Sequence, residues 1–338
     1  MEQNKFKLFA NCIPVKGASR SIICDLQRRD YQLIPNTLYD LLMSFPQFTL
    51  ADLTDKYGKA EQETLEEYIA FLEEHEFGMW SKDHSSFVPL NLAWFSSSEI
   101  TNSIVDWDKN SDFDFESLFD QLNNLNCLYL QLRFFDPFGK EQLEKVLCLL
   151  NRSSIVSVEL FFHDSVEFQL DDYTRLLRRF PRITRLVVHS AKENRHFNEP
   201  EHFLDLIALN YTTLKIKDET HCGVIHPGYF SSNIEHFTEA KQYNSCLNKK
   251  ISIDKSGQIC NCPSLPQKFG QFGKTNLRET IQNEHFLSHW STTKDQIETC
   301  KDCEFRYICS DCRAYTEENR PLGKPLKCNY NPYTGEWN

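Results

Sequence analysis

Along the chain the period of apolar and polar positions changes several times, and those changes mark out three stretches. In residues 1–85, KFKLFA and SIICDLQ are dense in apolar and β-branched residues and read as strands. After the charged turn QRRD a shorter strand, YQLIP, is closed by Pro35. Helices follow. NTLYDLLM begins with Asn36, placed to cap a helix, and TLADLTDKYG carries a start signal at Thr49 and a stop signal at Gly58. In EQETLEEYIAFLEEHEFG, Leu65, Tyr68, Ile69 and Leu72 recur at i, i+3, i+4 and i+7, so that helix has one apolar face.

In residues 86–220 the polar, acidic run DWDKNSDFDFE, 106–116, lacks both periods and reads as a loop or linker. Beyond it, LNCLYLQLRF, IVSVELFF, RITRLVVHS and TTLKIK read as strands, separated by the helical KEQLEKVLCLLNRS, DDYTRLLRRF and EPEHFLDLIALNY. This alternation predicts an α/β fold with right-handed crossovers and a mostly parallel sheet. About four such strands are too few for a closed eight-stranded barrel, so a partial βα barrel is expected. No glycine-rich phosphate loop interrupts the pattern. His163, Asp164 and His189 fall at or just past strand ends, where catalytic groups sit but where capping and loop residues are commoner.

Charge separates the chain differently. The net charge is −11, yet from Cys222 onward 14 basic side chains balance 13 acidic ones, so the part before it carries −12. An acidic front end argues against a nucleic-acid partner, whose phosphates need a basic face, and favours a peptide. The opening MEQNKFKLFANC has no long apolar run, so neither a signal peptide nor a membrane span is expected. The compartment this implies is cytoplasmic, where clustered thiols bind metal more often than they form disulfides.

The chemistry lies in residues 221–338. Of 13 cysteines, Cys12, Cys24, Cys127 and Cys148 are scattered and read as small buried apolar residues; the other nine lie between Cys222 and Cys328. They are Cys222, Cys246, Cys260 and Cys262, the compact run CKDCEFRYICSDC with Cys300, Cys303, Cys309 and Cys312, and Cys328. A disulfide framework is disfavoured by the inferred compartment. Zinc ribbons separate their two Cys-x2-Cys pairs by about 15–20 residues, whereas only EFRYI lies between these. An iron–sulfur cube suits close thiolates better, since each can reach a different iron, and zinc remains the alternative.

Two resemblances join these readings. The order strand, strand, DLQRRDYQLIPNTLYDLL, two helices and FLEEHEFGMW resembles the PqqD-like leader-recognition domain of peptide-modifying enzymes. That likeness implies strand addition of a precursor's leader along Tyr31, Gln32, Leu33 and Ile34, with Leu65, Tyr68, Ile69 and Leu72 lining the groove. A DNA-binding winged helix competes with it and is weakened by the acidic balance. The cysteine series, with Gly257 between Cys246 and Cys262, resembles the SPASM domain of radical SAM peptide maturases, which carries two auxiliary [4Fe–4S] clusters. By that resemblance Cys300, Cys303, Cys309 and Cys328 hold an outer cluster. Cys246, Cys262 and Cys312 hold an inner one, with Cys222 as fourth ligand, His221 and His226 as other options, and Cys260 as an alternative to Cys262. The family usually has three residues between its last two clustered cysteines; Ser310 and Asp311 are two here. This run is most similar to that of the grasp-with-spasm systems, whose maturase is encoded beside an ATP-grasp ligase.

One part of the family pattern is missing. Radical SAM chemistry needs Cys-x3-Cys-x2-Cys, and before residue 222 no two cysteines lie within three residues of each other. SAM cleavage is therefore not expected. The resemblance implies leader recognition in support of a partner ATP-grasp ligase, with two clusters serving structure. A SAM-independent iron–sulfur redox enzyme, or a zinc-stabilised interaction protein, are the alternatives, and no catalytic residue is assigned.

Overall fold

The computed structural model describes residues 4–83, 85, 87–197 and 208–337. The chain opens with β1 (Lys5–Leu8), β2 (Cys12–Lys16), β3 (Ser21–Asp25) and β4 (Asp30–Ile34). Helices α1 (Asn36–Ser44), α2 (Leu50–Tyr57) and α3 (Gln62–Glu74) follow, then β5 (Gly78–Ser81). Strands β2, β3 and β4 form an antiparallel sheet with β4 outermost, while β1 pairs with β5. SIICD shows no alternation because β3 is buried on both faces. Ile23 joins a core with Phe6, Leu38, Leu53, Leu65 and Leu72, and Ile22 and Cys24 join a second core with Phe237, Phe305, Ile308 and Tyr330.

The start of α2 matches its sequence signal. Thr49 Oγ1 accepts from the Asp52 amide at 3.0 Å, and the Asp52 carboxylate accepts from the Thr49 amide at 2.9 Å, a reciprocal capping box. The helix ends at Gly58, whose φ of +93° only glycine adopts without strain. Asn36 does not cap α1, contrary to expectation. Pro35 takes the position before the helix, and the Asn36 carboxamide turns back to the β2–β3 turn, accepting from Ser21 Oγ at 2.5 Å and donating to the Ala18 carbonyl at 3.1 Å.

The second stretch runs β6 (Asn102–Trp107), α4 (Phe115–Asn124), β7 (Tyr129–Phe134), α5 (Lys140–Leu149), β8 (Ser157–His163) and α6 (Leu170–Arg179), then β9 (Ile183–His189), β10 (Arg195–Phe197) and β11 (Ala208–Tyr211). Further on come α7 (Ile234–Gln242), β12 (Lys250–Ile253), β13 (Ile259–Cys260), β14 (Tyr330–Asn331) and β15 (Glu336–Trp337). Eight strands make one sheet in the order β10-β11-β9-β8-β7-β6-β12-β13. Six of them are parallel, and β10 and β13 are antiparallel edges. This is the α/β architecture the alternation predicts, with more strands than the pattern reveals.

Three readings of this stretch need correction. The run 106–116 is a loop only in its middle, since Asp106 and Trp107 end β6 and Phe115 begins α4. TTLKIK is not a strand; of its side chains only Ile216 is buried, and the strand before it is Ala208–Tyr211. The helix read into EPEHFLDLIALNY lies mostly outside the described residues, and its last four positions are extended. The turn at Gly257, with φ of +76°, joins β12 to β13 as the sequence suggests.

Packing divides the chain into two units, one of Met1–Trp94, Ile225–Ser245 and Thr292–Asn338, the other of Phe95–Val224 and Cys246–Ser291. The stretch 1–85 lies within the first unit, and 221–338 is shared out between both. Among the described residues no helix is long and apolar enough to cross a membrane.

Candidate metal centres

Each unit contains its own group of cysteines. In the first, Cys300, Cys309 and Cys312 are buried and Cys303 and Cys328 half-buried. A single helical turn, Cys300–Asp302, follows Thr299, whose φ of +64° puts a β-branched residue in the left-handed region. Another turn, Lys294–Gln296, is fixed by a capping box between Thr293 and Gln296. It aims Lys294 inward, and Nζ donates to Cys309 Sγ at 3.2 Å. Lys294 is 4% exposed, and among the described residues it forms no ion pair with a carboxylate. The carboxylate of Asp311 is taken up by Arg313, whose Nη2 donates to it at 2.8 Å. Burial alone would lower the lysine's pKa; the sulfurs of Cys309 and Cys300, with Asp311, push it above its usual value instead.

The second unit repeats the arrangement. Lys250 opens β12, a strand with all four positions buried, and its Nζ donates to Cys246 Sγ at 3.4 Å. Burial opposes its charge, and Cys246, Cys262 and Cys222, in that order, more than restore it. A second cation reaches Cys222: Arg133 Nη1 lies 3.5 Å from its Sγ, while Nε and Nη2 hold both oxygens of Asp106 at 2.5 and 2.7 Å. Among the described residues Lys250, like Lys294, has no carboxylate partner.

One sulfur beside each lysine resists ionisation. Burial, the leading cause in each, pushes the thiols of Cys300 and Cys262 up to about 12. With neutral thiols the two buried ammonium groups would lose their nearest counter-charges, at a cost of several kcal/mol each. Metal binding removes the conflict, because a coordinated thiol is deprotonated outright. The donor sets therefore fit a thiolate-ligated group. A single zinc ion holds its thiolates about 3.8 Å apart, given bonds of ~2.3 Å; among the described residues no three cysteine, histidine or carboxylate groups converge on one ion. A cube of four irons takes one thiolate per iron and spaces them more widely.

The structure separates Cys262 from Cys260. Cys260 ends β13 inside the sheet, its Sγ 3.7 Å from the Ser252 carbonyl, whereas Cys262 lies beyond the strand and is the one that acts on Lys250. Cys312 belongs to the first unit and Cys222, Cys246 and Cys262 to the second. His226 accepts the Gly228 amide at 3.1 Å and caps a turn. Of the scattered cysteines, Cys12, Cys24 and Cys127 are buried as expected, and Cys148 is exposed on α5 instead. None of the described cysteines is in a disulfide.

The residues read as a leader edge divide between the two faces of β4. Tyr31 pairs with Cys24 and Leu33 with Ile22, the face toward the second core, where Tyr31 packs on Phe230 and Phe305. Leu33 is 44% exposed. Gln32 and Ile34 share the other face, and Ile34 is buried with the helices. Leu65 and Leu72 are core residues, whereas Tyr68 and Ile69 of the same helix are half-buried. Tyr68 is tied to Thr37 by a hydroxyl pair 2.5 Å apart. Among the described residues β4 pairs only with β3.

At the strand ends, His189 is fully buried between the Phe134 carbonyl, 2.9 Å from Nε2, and Ser190 Oγ, 3.2 Å from Nδ1. Burial holds it neutral, with a pKa of about 4. His163 bonds the Asp164 carbonyl at 2.7 Å and, with Asp108, Asp136, Ser190, Lys215 and Lys217, lines a cavity of 460 Å³. Lys250, Lys294 and Arg133 belong to no motif or spacing that the sequence displays. The only local signal for the first is a lysine standing at the head of an apolar strand, KISI.

No family model matches the chain. No curated protein matches it either. Among solved structures it is similar to Streptococcus suis SuiB bound to precursor peptide SuiA, at 11% identity and a TM-score of 0.36, over 95% of this chain and 98% of that one.

Proposed function

We propose that the chain is a maturation protein for a ribosomally made peptide, receiving the precursor's leader at β4 and holding two [4Fe–4S] clusters while a partner ATP-grasp ligase forms the bond. Cys300, Cys303, Cys309 and Cys328 are the ligands of one cluster. Cys222, Cys246 and Cys262 are ligands of the other. The observation that carries this reading is the pair of buried lysines, each bonded to a cysteine sulfur and, among the described residues, in no ion pair with a carboxylate. An acidic sequence, with a strand β4 that among the described residues pairs with another strand on one side only, supports a peptide as the partner. Bound there, the clusters would supply metal–thiolate bonds that add folding free energy to loop-rich segments.

On the peptide side, backbone hydrogen bonds from β4 give affinity, and Leu33, Tyr68 and Ile69 read alternate side chains. Anaerobically prepared protein is expected to carry iron and acid-labile sulfide in equal amounts, about eight of each for two cubes, and to release no 5′-deoxyadenosine from SAM. Leu33→Pro should weaken binding of a precursor's leader peptide, because proline removes a backbone donor from the edge. Colourless, sulfide-free protein would remove the cluster assignment; unchanged affinity in the proline variant would remove the strand-addition model.

A further inference from the structure

Resting on the cluster reading above, we propose that Lys250 and Lys294 are built-in counter-ions, one per cluster, that raise the reduction potential of each by donating a charged hydrogen bond to a ligating sulfur. The two lysines come from unrelated local structures, one from the head of a strand and one from a capped helical turn. They reach the same arrangement: Nζ 3.4 Å from Cys246 Sγ and 3.2 Å from Cys309 Sγ, with the side chain buried. A purely structural iron site needs no such group, since four thiolates satisfy the cube by themselves. Burying an ammonium is costly unless an anion lies beside it.

Cluster potentials follow net charge, hydrogen bonds to sulfur and solvent exposure. A fixed positive charge at hydrogen-bond distance in a dry site acts on the first two together, and favours the reduced, more negative cube. The cation at Cys222 differs in kind. Arg133 is neutralised by its two bonds to Asp106, so it orients the sulfur while adding little net charge.

The test is a potentiometric titration of the full chain followed by electron paramagnetic resonance, comparing wild type with Lys294→Met and Lys250→Met. Each substitution is expected to shift the reduction equilibrium of its own cluster at least tenfold toward the oxidised form, a fall of about 59 mV for one electron, while the other cluster stays put. Lys294→Arg and Lys250→Arg keep the charge and should recover most of the potential. If a methionine variant takes up no iron while its arginine counterpart does, the counter-ion role is upheld by loading. Potentials unmoved in iron-loaded methionine variants, or iron lost equally in methionine and arginine variants, would overturn the inference and leave the cluster reading standing. Absence of iron from the wild type would instead overturn that reading.

Discussion

The ring of Tyr31 meets that of Phe305 edge to face, with centroids 5.6 Å apart, and so joins the outermost strand of the first sheet to the middle of the cysteine run. The same loop is bonded to the β2–β3 turn, where the Ala18 amide donates to the Asp302 carbonyl at 2.8 Å and Arg20 Nε donates to buried Glu304 at 2.9 Å. Edge and cysteine loop thus share one core. Phe305→Ala should cost about 3–5 kcal/mol in denaturant unfolding, as for other large buried aromatics. It should also speed hydrogen exchange of the β4 amides more than those of α2, which lies in the other core. Equal protection in β4 before and after the substitution would count against the shared core.

In the second unit, Asp106 and Arg133 make a buried, two-pronged ion pair, and both are less than a tenth exposed. Removing one partner strands the other charge. Asp106→Leu or Arg133→Met alone should therefore cost about 3–5 kcal/mol, whereas the two together should cost much less, because the desolvation of both charges disappears together. A double-mutant cycle on thermal or denaturant melts measures this. Additive losses would show that the two side chains act independently.

What the sequence made legible followed from how local each signal is. Thr49 and Gly58 bracket α2 with short-range chemistry, and both ends are where the pattern puts them. By contrast β12 pairs with β6 across a separation no periodicity reports, and NSIVDW shows no apolar–polar alternation because the polar Ser103 and Asp106 are buried along with Ile104 and Val105. TTLKIK alternates like a strand, yet only Ile216 of it is buried. At the cysteine groups the spacing singles out the sulfurs, whereas the buried lysines depend on how the surrounding turns aim one side chain. In CNC the two cysteines would share a strand face, and only the end of β13 at Cys260 frees Cys262 to turn away.

Stability should vary with pH through His189. Burial is the main cause that lowers its pKa from 6.5 to about 4, so between those values the unfolded chain binds the proton and the folded chain does not. The imidazole's contribution is complete above about pH 6.5 and is lost as pH falls toward 4, a loss of about 3 kcal/mol at ~1.4 kcal/mol per pKa unit. His189→Gln can still donate to the Phe134 carbonyl and has no charge to acquire. Its melts across the same range should be flatter than those of wild type by about that amount, and parallel curves would show that another group carries the pH dependence.

The cysteines of CNC offer a sharper distinction. Cys260 is fully buried in the sheet with its Sγ against a backbone carbonyl, whereas Cys262 shares the surroundings of Lys250 with Cys246 and Cys222. Cys262→Ala is therefore expected to lose iron from the second unit alone, leaving about half the total when each unit contributes one four-iron cube. Cys303→Ala should lose the complementary half. Cys260→Ala should keep all of it and lose at most about 1 kcal/mol for the small cavity left in the core. Iron and sulfide determinations on the three variants, prepared anaerobically side by side, check this pattern. Iron retained in Cys262→Ala but lost in Cys260→Ala would reverse the ligand assignment, because the strand end would then be turning the wrong sulfur toward the metal.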